Sequence, residues 1–210
     1  MKQDVRENDV TAAMAVVATV LLGYLVRHTL NPDGVAYLDL AAVLRRGDLH
    51  HFVQGYWSPL YPALLALIGL LSGNSSSSQI DGAHLLNVVA VILAIAVIWR
   101  WARAARTPWF GRAAITALVV CSAEPPRVEA LTPDLILICI MACIGYELVV
   151  HRGAHWLRLG LLLGFAYLTK TGVWPWLIVA MALRTIMASS AIARRETWQS
   201  HTVTLALMLC

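Results

Sequence analysis

The chain has 210 residues, of which 59% are apolar and only 13% charged, about half the charged share of a soluble globular domain. That balance excludes a disordered chain and a nucleic-acid-binding arm: the 16 cations sit in short clusters between long apolar runs, so the formal charge of +4 is no polyanion footprint. An integral membrane protein is expected.

Lys2 and Arg6 precede the first apolar run, 10–26. The run is long and reaches Arg27-His28 without a small-x-small cleavage site, which reads as an uncleaved first span. Further helical candidates are 58–71, 83–99, 113–123, 135–150, 156–169 and 173–188, with another apolar start at 202. A span needs about 20 residues, so the shorter runs must borrow their flanks, with Arg112 or Arg158 snorkelling to a headgroup. Three basic clusters (Arg100, Arg103, Arg106 and Arg112; Arg152 and Arg158; Arg184, Arg194 and Arg195) lie two spans apart and share one side, cytoplasmic by the positive-inside rule. Residues 124–134 and Lys170 then face the outer side. The run 58–71 has only 14 residues and opens with Pro59 and Pro62, which favours a segment that dips back without crossing. The whole of 1–210 reads as a single transmembrane domain of all-α class, polytopic, with outer loops at about 30–82 and 124–134. Gly73 to Gly82 is polar and turn-rich, a connector by composition.

The most informative stretch is 31–48. Tyr37, Leu40, Ala41 and Leu44 recur at helical spacing, Asp39 and Arg46 share another face, and Gly47 is a natural stop. This predicts an amphipathic juxtamembrane helix of about three turns on the membrane surface. Asp33, at its entry, has two open readings. It caps the first-turn N–H groups, or it is a carboxylate at the water–lipid boundary that accepts a proton from a hydroxyl or amine. Asp39 and Asp48 read as solvated. In the second acidic cluster, Glu124 and Asp134 are either hydrated loop residues or functional groups at membrane depth, and Thr132-Pro133-Asp134 has the form of a helix start. Lys170 is a lone outer cation between two apolar runs, where it snorkels or meets an anion such as a headgroup-level phosphate.

His151 and His155 stand one helical turn apart, a spacing that brings two imidazoles together, but with no carboxylate cluster counted beside them no metal site is expected. Trp99, Trp101, Trp109, Trp156 and Trp174 fit interfacial belts. Cys121, Cys139, Cys143 and Cys210 lie in or beside apolar segments and read as buried thiols.

In succession, Pro32-Asp33-Gly34-Val35-Ala36-Tyr37, Gly47-Asp48 and Tyr56-Trp57-Ser58-Pro59-Leu60-Tyr61-Pro62 resemble the first outer loop of the GT-C superfamily of membrane glycosyltransferases, in the branch of protein O-mannosyltransferases and aminoarabinose transferases. Thr132-Pro133-Asp134 and the run from Gly164 to Lys170 match family positions in order. The resemblance implies an enzyme of a bacterial inner membrane that transfers a sugar from a polyprenyl-phosphate carrier to a glycan, lipid or protein acceptor on the outer face. Carried over, Asp33 is the catalytic base, Asp134 the second-loop carboxylate that helps shape the site, and Lys170 contacts the donor phosphate; Tyr37 and Glu124 are further candidate substrate-binding residues. Gly34, Ala36 and Ser58 stand where family members have an acidic residue, an Arg and a Lys, which leaves Lys170 as the phosphate cation, with Arg45, Arg46 or Arg127 as helpers. The donor would be a polyprenyl-phosphate-linked sugar, with a divalent-metal requirement left open. The apolar start at 202 without a partner span predicts the N-terminal portion of a longer protein. The alternative reading is a non-catalytic membrane protein, a transport or assembly subunit or a remnant, whose carboxylates only cap helices.

Overall fold

The computed structural model describes residues 2–72, 75–104, 130–151 and 155–189. Every regular element among them is helical. In chain order these are α1 (Lys2–Val26), α2 (Pro32–Arg45), α3 (Leu49–Phe52), α4 (Leu60–Ser72), α5 (Ser76–Ala104), α6 (Asp134–Val150), α7 (Trp156–Thr169), a 3-10 turn (Thr171–Val173) and α8 (Trp174–Ser189). The predicted helix 113–123, the start at 202, Glu124 and Arg127 lie outside the described residues.

α5 is long and apolar enough to cross a membrane; α4, α7 and the apolar part of α1, Ala13–Val26, are shorter apolar helices. At 29 residues α5 spans about 43 Å and exceeds the predicted 83–99 at both ends. The Ser-rich segment read as a connector supplies its first turns. Ser75 accepts the Ser78 amide on its Oγ at 3.2 Å and the Gln79 amide on its carbonyl at 3.2 Å, so the hydroxyl caps N–H groups that composition alone assigned to a loop.

The helix predicted within 31–48 forms as α2. Pro32 occupies its first turn, where a missing N–H costs nothing. Its end is a Schellman motif: Gly47, at φ 78°, donates to Leu44 at 2.9 Å, and Asp48 donates to Val43 at 3.3 Å. Asp48 is no idle surface charge. It caps α3, accepting the His51 amide at 3.1 Å and facing His51 Nδ1 at 2.7 Å, and the amide bond foremost holds its carboxyl below the usual range.

α5 packs on α1, α4 and α6, and α2 lies along α4. One core cluster joins the buried faces of α1, α2, α4 and α5 to Leu131, Leu135 and Ile136 at the start of α6. Trp99 belongs to that core, 6% exposed, rather than to an interfacial belt. A second cluster joins Ile144 and Leu148, late in α6, to Leu159, Leu163 and Ala166 of α7 and Leu177 and Ala180 of α8. α6 therefore runs through both, and its two ends carry different chemistry.

Candidate functional site

At one end of the bundle, four separate segments enclose a cavity of about 350 Å³. Asp33 and Tyr37 enter from α2, Trp57 and Ser58 from the segment before α4, Asp134 from the start of α6, and Thr169 to Gly172 from the α7–α8 connection. Of the residues singled out in the sequence, Asp33, Tyr37, Asp134 and Lys170 all line it.

Side-chain-to-backbone hydrogen bonds hold these segments together. Asn31, in the N-cap position of α2, makes no capping bond. Its Oδ1 instead accepts the Leu131 amide at 2.8 Å, across 100 residues of sequence. The approach is close because the residue above it is Gly34, where a Cβ would come within 2.8 Å of Leu131 Cβ and 2.7 Å of Asn31 Oδ1. An acidic side chain at that position could not be accommodated without movement. Ser58 Oγ accepts the Thr171 amide at 3.1 Å and fastens the α7–α8 connection to the segment before α4. Behind the cavity, Asn87 of α5 is fully buried; it accepts from the Tyr61 hydroxyl at 3.4 Å and donates to the Ala130 carbonyl at 3.3 Å. One turn away, buried His84 donates from Nε2 to the Thr29 carbonyl at 2.8 Å.

Asp33 is exposed, sits in the first turn of α2, and takes no hydrogen bond from any described residue. Capping therefore does not account for it, although its charge suits the positive end of the helix. Asp134 opens α6. It receives the Thr132 hydroxyl on Oδ2 at 3.3 Å and pairs through Oδ1 with Lys170 Nζ at 2.7 Å. Both partners of that ion pair are about half exposed, and an ammonium has three donors, so Lys170 keeps capacity for a second anion. The Tyr37 ring is packed edge-on against Trp57 and Tyr61, with centroids 4.7 and 5.0 Å away. Burial, then the charges of Asp134 and Asp33, push its phenol up to about 12, so it stays a neutral hydrogen-bond donor.

Two of the residues singled out in the sequence are not brought to this cavity. Arg45 and Arg46 lie at the far end of α2, about 18 Å from Asp33 along the helix, because 12 residues of α-helix separate them. Arg45 is turned into the α2–α4–α5 interface, where its Nη2 donates to Gln79 at 3.1 Å over Gly69. Neither arginine lines the cavity. Conversely, Asn31, Ser58 and Asn87 were not picked out as structural residues. Asn87 had a legible signal, an amide inside a predicted apolar span, where an unpaired polar group is costly.

No family model, curated protein or solved structure matches the chain.

Proposed function

We propose that the protein is a multi-pass membrane glycosyltransferase that takes a sugar from a polyprenyl phosphate at the outer membrane face. The observation that carries this reading is the convergence of two carboxylates and a lysine from distant segments on one cavity, at one end of a helical bundle with an apolar exterior. Exposed apolar side chains recur at one-turn spacing on α1 (Val10, Met14, Val17, Leu21, Leu25), α5 (Leu85, Val89, Leu93) and α7 (Leu157, Leu161, Phe165), as lipid-facing stripes would. α4, with 13 residues, reaches only about 20 Å, short of a bilayer's apolar core, which favours a segment that dips back rather than crosses.

In the proposed reaction the acceptor oxygen forms a bond to the anomeric carbon as the bond from that carbon to the phosphate oxygen breaks, with inversion. The acceptor proton passes to Asp33, which takes no hydrogen bond from the described residues. The departing polyprenyl phosphate carries negative charge, which Lys170 meets with donors that Asp134 does not use. Asp134 positions Lys170, and Tyr37 offers a neutral hydroxyl beside both carboxylates. The test is turnover of labelled undecaprenyl-phosphate sugar by the full-length protein in membranes. Asp33→Asn is expected to lower turnover by about 100-fold or more while helicity is retained. Equal turnover of the variant and the parent would remove Asp33 from the mechanism and the reading with it.

A further inference from the structure

At the opposite end of α6, about 20 Å from Asp134 along the helix, Glu147, His151 and His155 come together. Each offers one ligand atom, and these atoms lie within 4.8 Å of one another. Glu147 lies in the last turn of α6 and His151, four residues on, is its C-cap; His155 holds the N-cap position of α7. The carboxylate that the sequence reading did not count beside the histidine pair is therefore present.

We propose that these three side chains bind one divalent transition-metal ion of the zinc class. Two imidazoles with one carboxylate form a donor set suited to zinc and its neighbours rather than to calcium or magnesium, and three protein ligands leave a fourth position for water. An independent observation points to the same site. Glu147 is 3% exposed, and its Oε2 has no hydrogen-bond partner among the described residues. A buried carboxylate oxygen left in that condition is costly, and a metal ion relieves it. The other oxygen, Oε1, accepts from Arg158 Nη1 at 2.9 Å, which anchors the carboxylate as outer-sphere partners anchor metal ligands. Tyr146 packs edge-on against the His151 ring, with centroids 5.3 Å apart.

Two ligand atoms on a tetrahedral zinc ion stand about 3.3 Å apart, given bonds of about 2.0–2.1 Å. Glu147 is fixed by burial, whereas His151 is half-buried and His155 exposed, so the imidazoles are the groups that would move on closure. The ion would clip the end of α6 to the start of α7. The inference does not depend on the transferase reading.

Tag-free full-length protein in detergent, stripped with a chelator, is titrated with Zn²⁺ alone and with Co²⁺ alone. Stoichiometry is read by elemental analysis and geometry by the visible absorption of Co²⁺. One ion per chain is expected, with the intense absorption of a four-coordinate site. His151→Ala, His155→Ala and Glu147→Gln should each weaken Zn²⁺ by more than the 10–100-fold typical of losing an outer-sphere partner. Circular dichroism accompanies each variant, and His155, being exposed, supplies one that lies outside the buried core. Absence of stoichiometric binding, or affinity unchanged in His155→Ala, would overturn the proposal. So would equal affinity in a folded Glu147→Gln protein, which would identify a surface histidine pair only.

Discussion

The two ends of the bundle are assembled in opposite ways. The end that carries Asp33, Asp134 and Lys170 draws on four segments separated by up to more than a hundred residues, and it is held by amide and hydroxyl side chains that hydrogen-bond to the backbone of another segment. At the other end, Glu147, His151 and His155 lie within residues 147–155 and meet through helical spacing and one reversal of direction. Changes to buried polar ties should therefore damage the first end without altering the second. Loss of charged groups at the cavity itself should affect chemistry more than folding.

The largest effect on stability is expected at Asn87. Asn87→Leu leaves the buried Tyr61 hydroxyl unpaired and the Ala130 carbonyl with the Thr132 amide alone, which should cost about 2–3 kcal/mol. Thermal unfolding in detergent measures this, and an unchanged midpoint would show that the amide ties nothing together. Gly34→Ala comes next. Its methyl group would press on Asn31 and Leu131, at an expected cost of about 1–3 kcal/mol from overpacking, and should also loosen Asp33 relative to Asp134. Zn²⁺ affinity at the far end should stay the same in both variants, and a parallel loss there would contradict the separation of the two ends.

The Tyr37 phenol supplies a pH signature of the cavity end alone. Its folded value, about 12, lies above the ordinary 10, so the stability it contributes is intact below pH 10 and is lost as pH rises from 10 towards 12. Asp134→Asn removes one of the charges that raise it, and spectrophotometric titration should then detect phenolate at lower pH than in the parent. The smallest stability effect belongs to Lys170→Met. The broken ion pair is about half exposed on both sides, so the cost should stay within about 1 kcal/mol, whereas affinity for a polyprenyl-phosphate donor should fall. A large drop in melting temperature would instead make the Asp134–Lys170 pair chiefly structural.

Local patterns identified the helices well. The spacing of Tyr37, Leu40, Ala41 and Leu44 with Gly47 behind them specified α2, and 156–169 coincides with α7, because burial periodicity and chain-stop chemistry are properties of neighbouring residues. The same local logic failed at 76–82, where Ser75 converts a run of poor helix formers into a capped start. Nor does local spacing say where Arg45, named as a helper at the phosphate, is directed: packing against α4 and α5 turns it inward. At the metal-type cluster the information was present, since Glu147 precedes His151 by one helical turn, but its burial and its unpartnered oxygen were not.

From the sequence alone follow the all-helical class, the apolar character of the runs, the sign and clustering of the charges, and a short set of candidate residues, all of which depend on composition and on spacing within a turn or two. Tertiary structure alone decided that Asp33, Tyr37, Asp134 and Lys170 share one cavity while Arg45 and Arg46 do not. That choice rests on single hydrogen bonds such as Asn31 to Leu131 and Ser58 to Thr171. A one-dimensional pattern carries no trace of such bonds, because either partner would satisfy its polar groups equally well with water until the helices pack and exclude it.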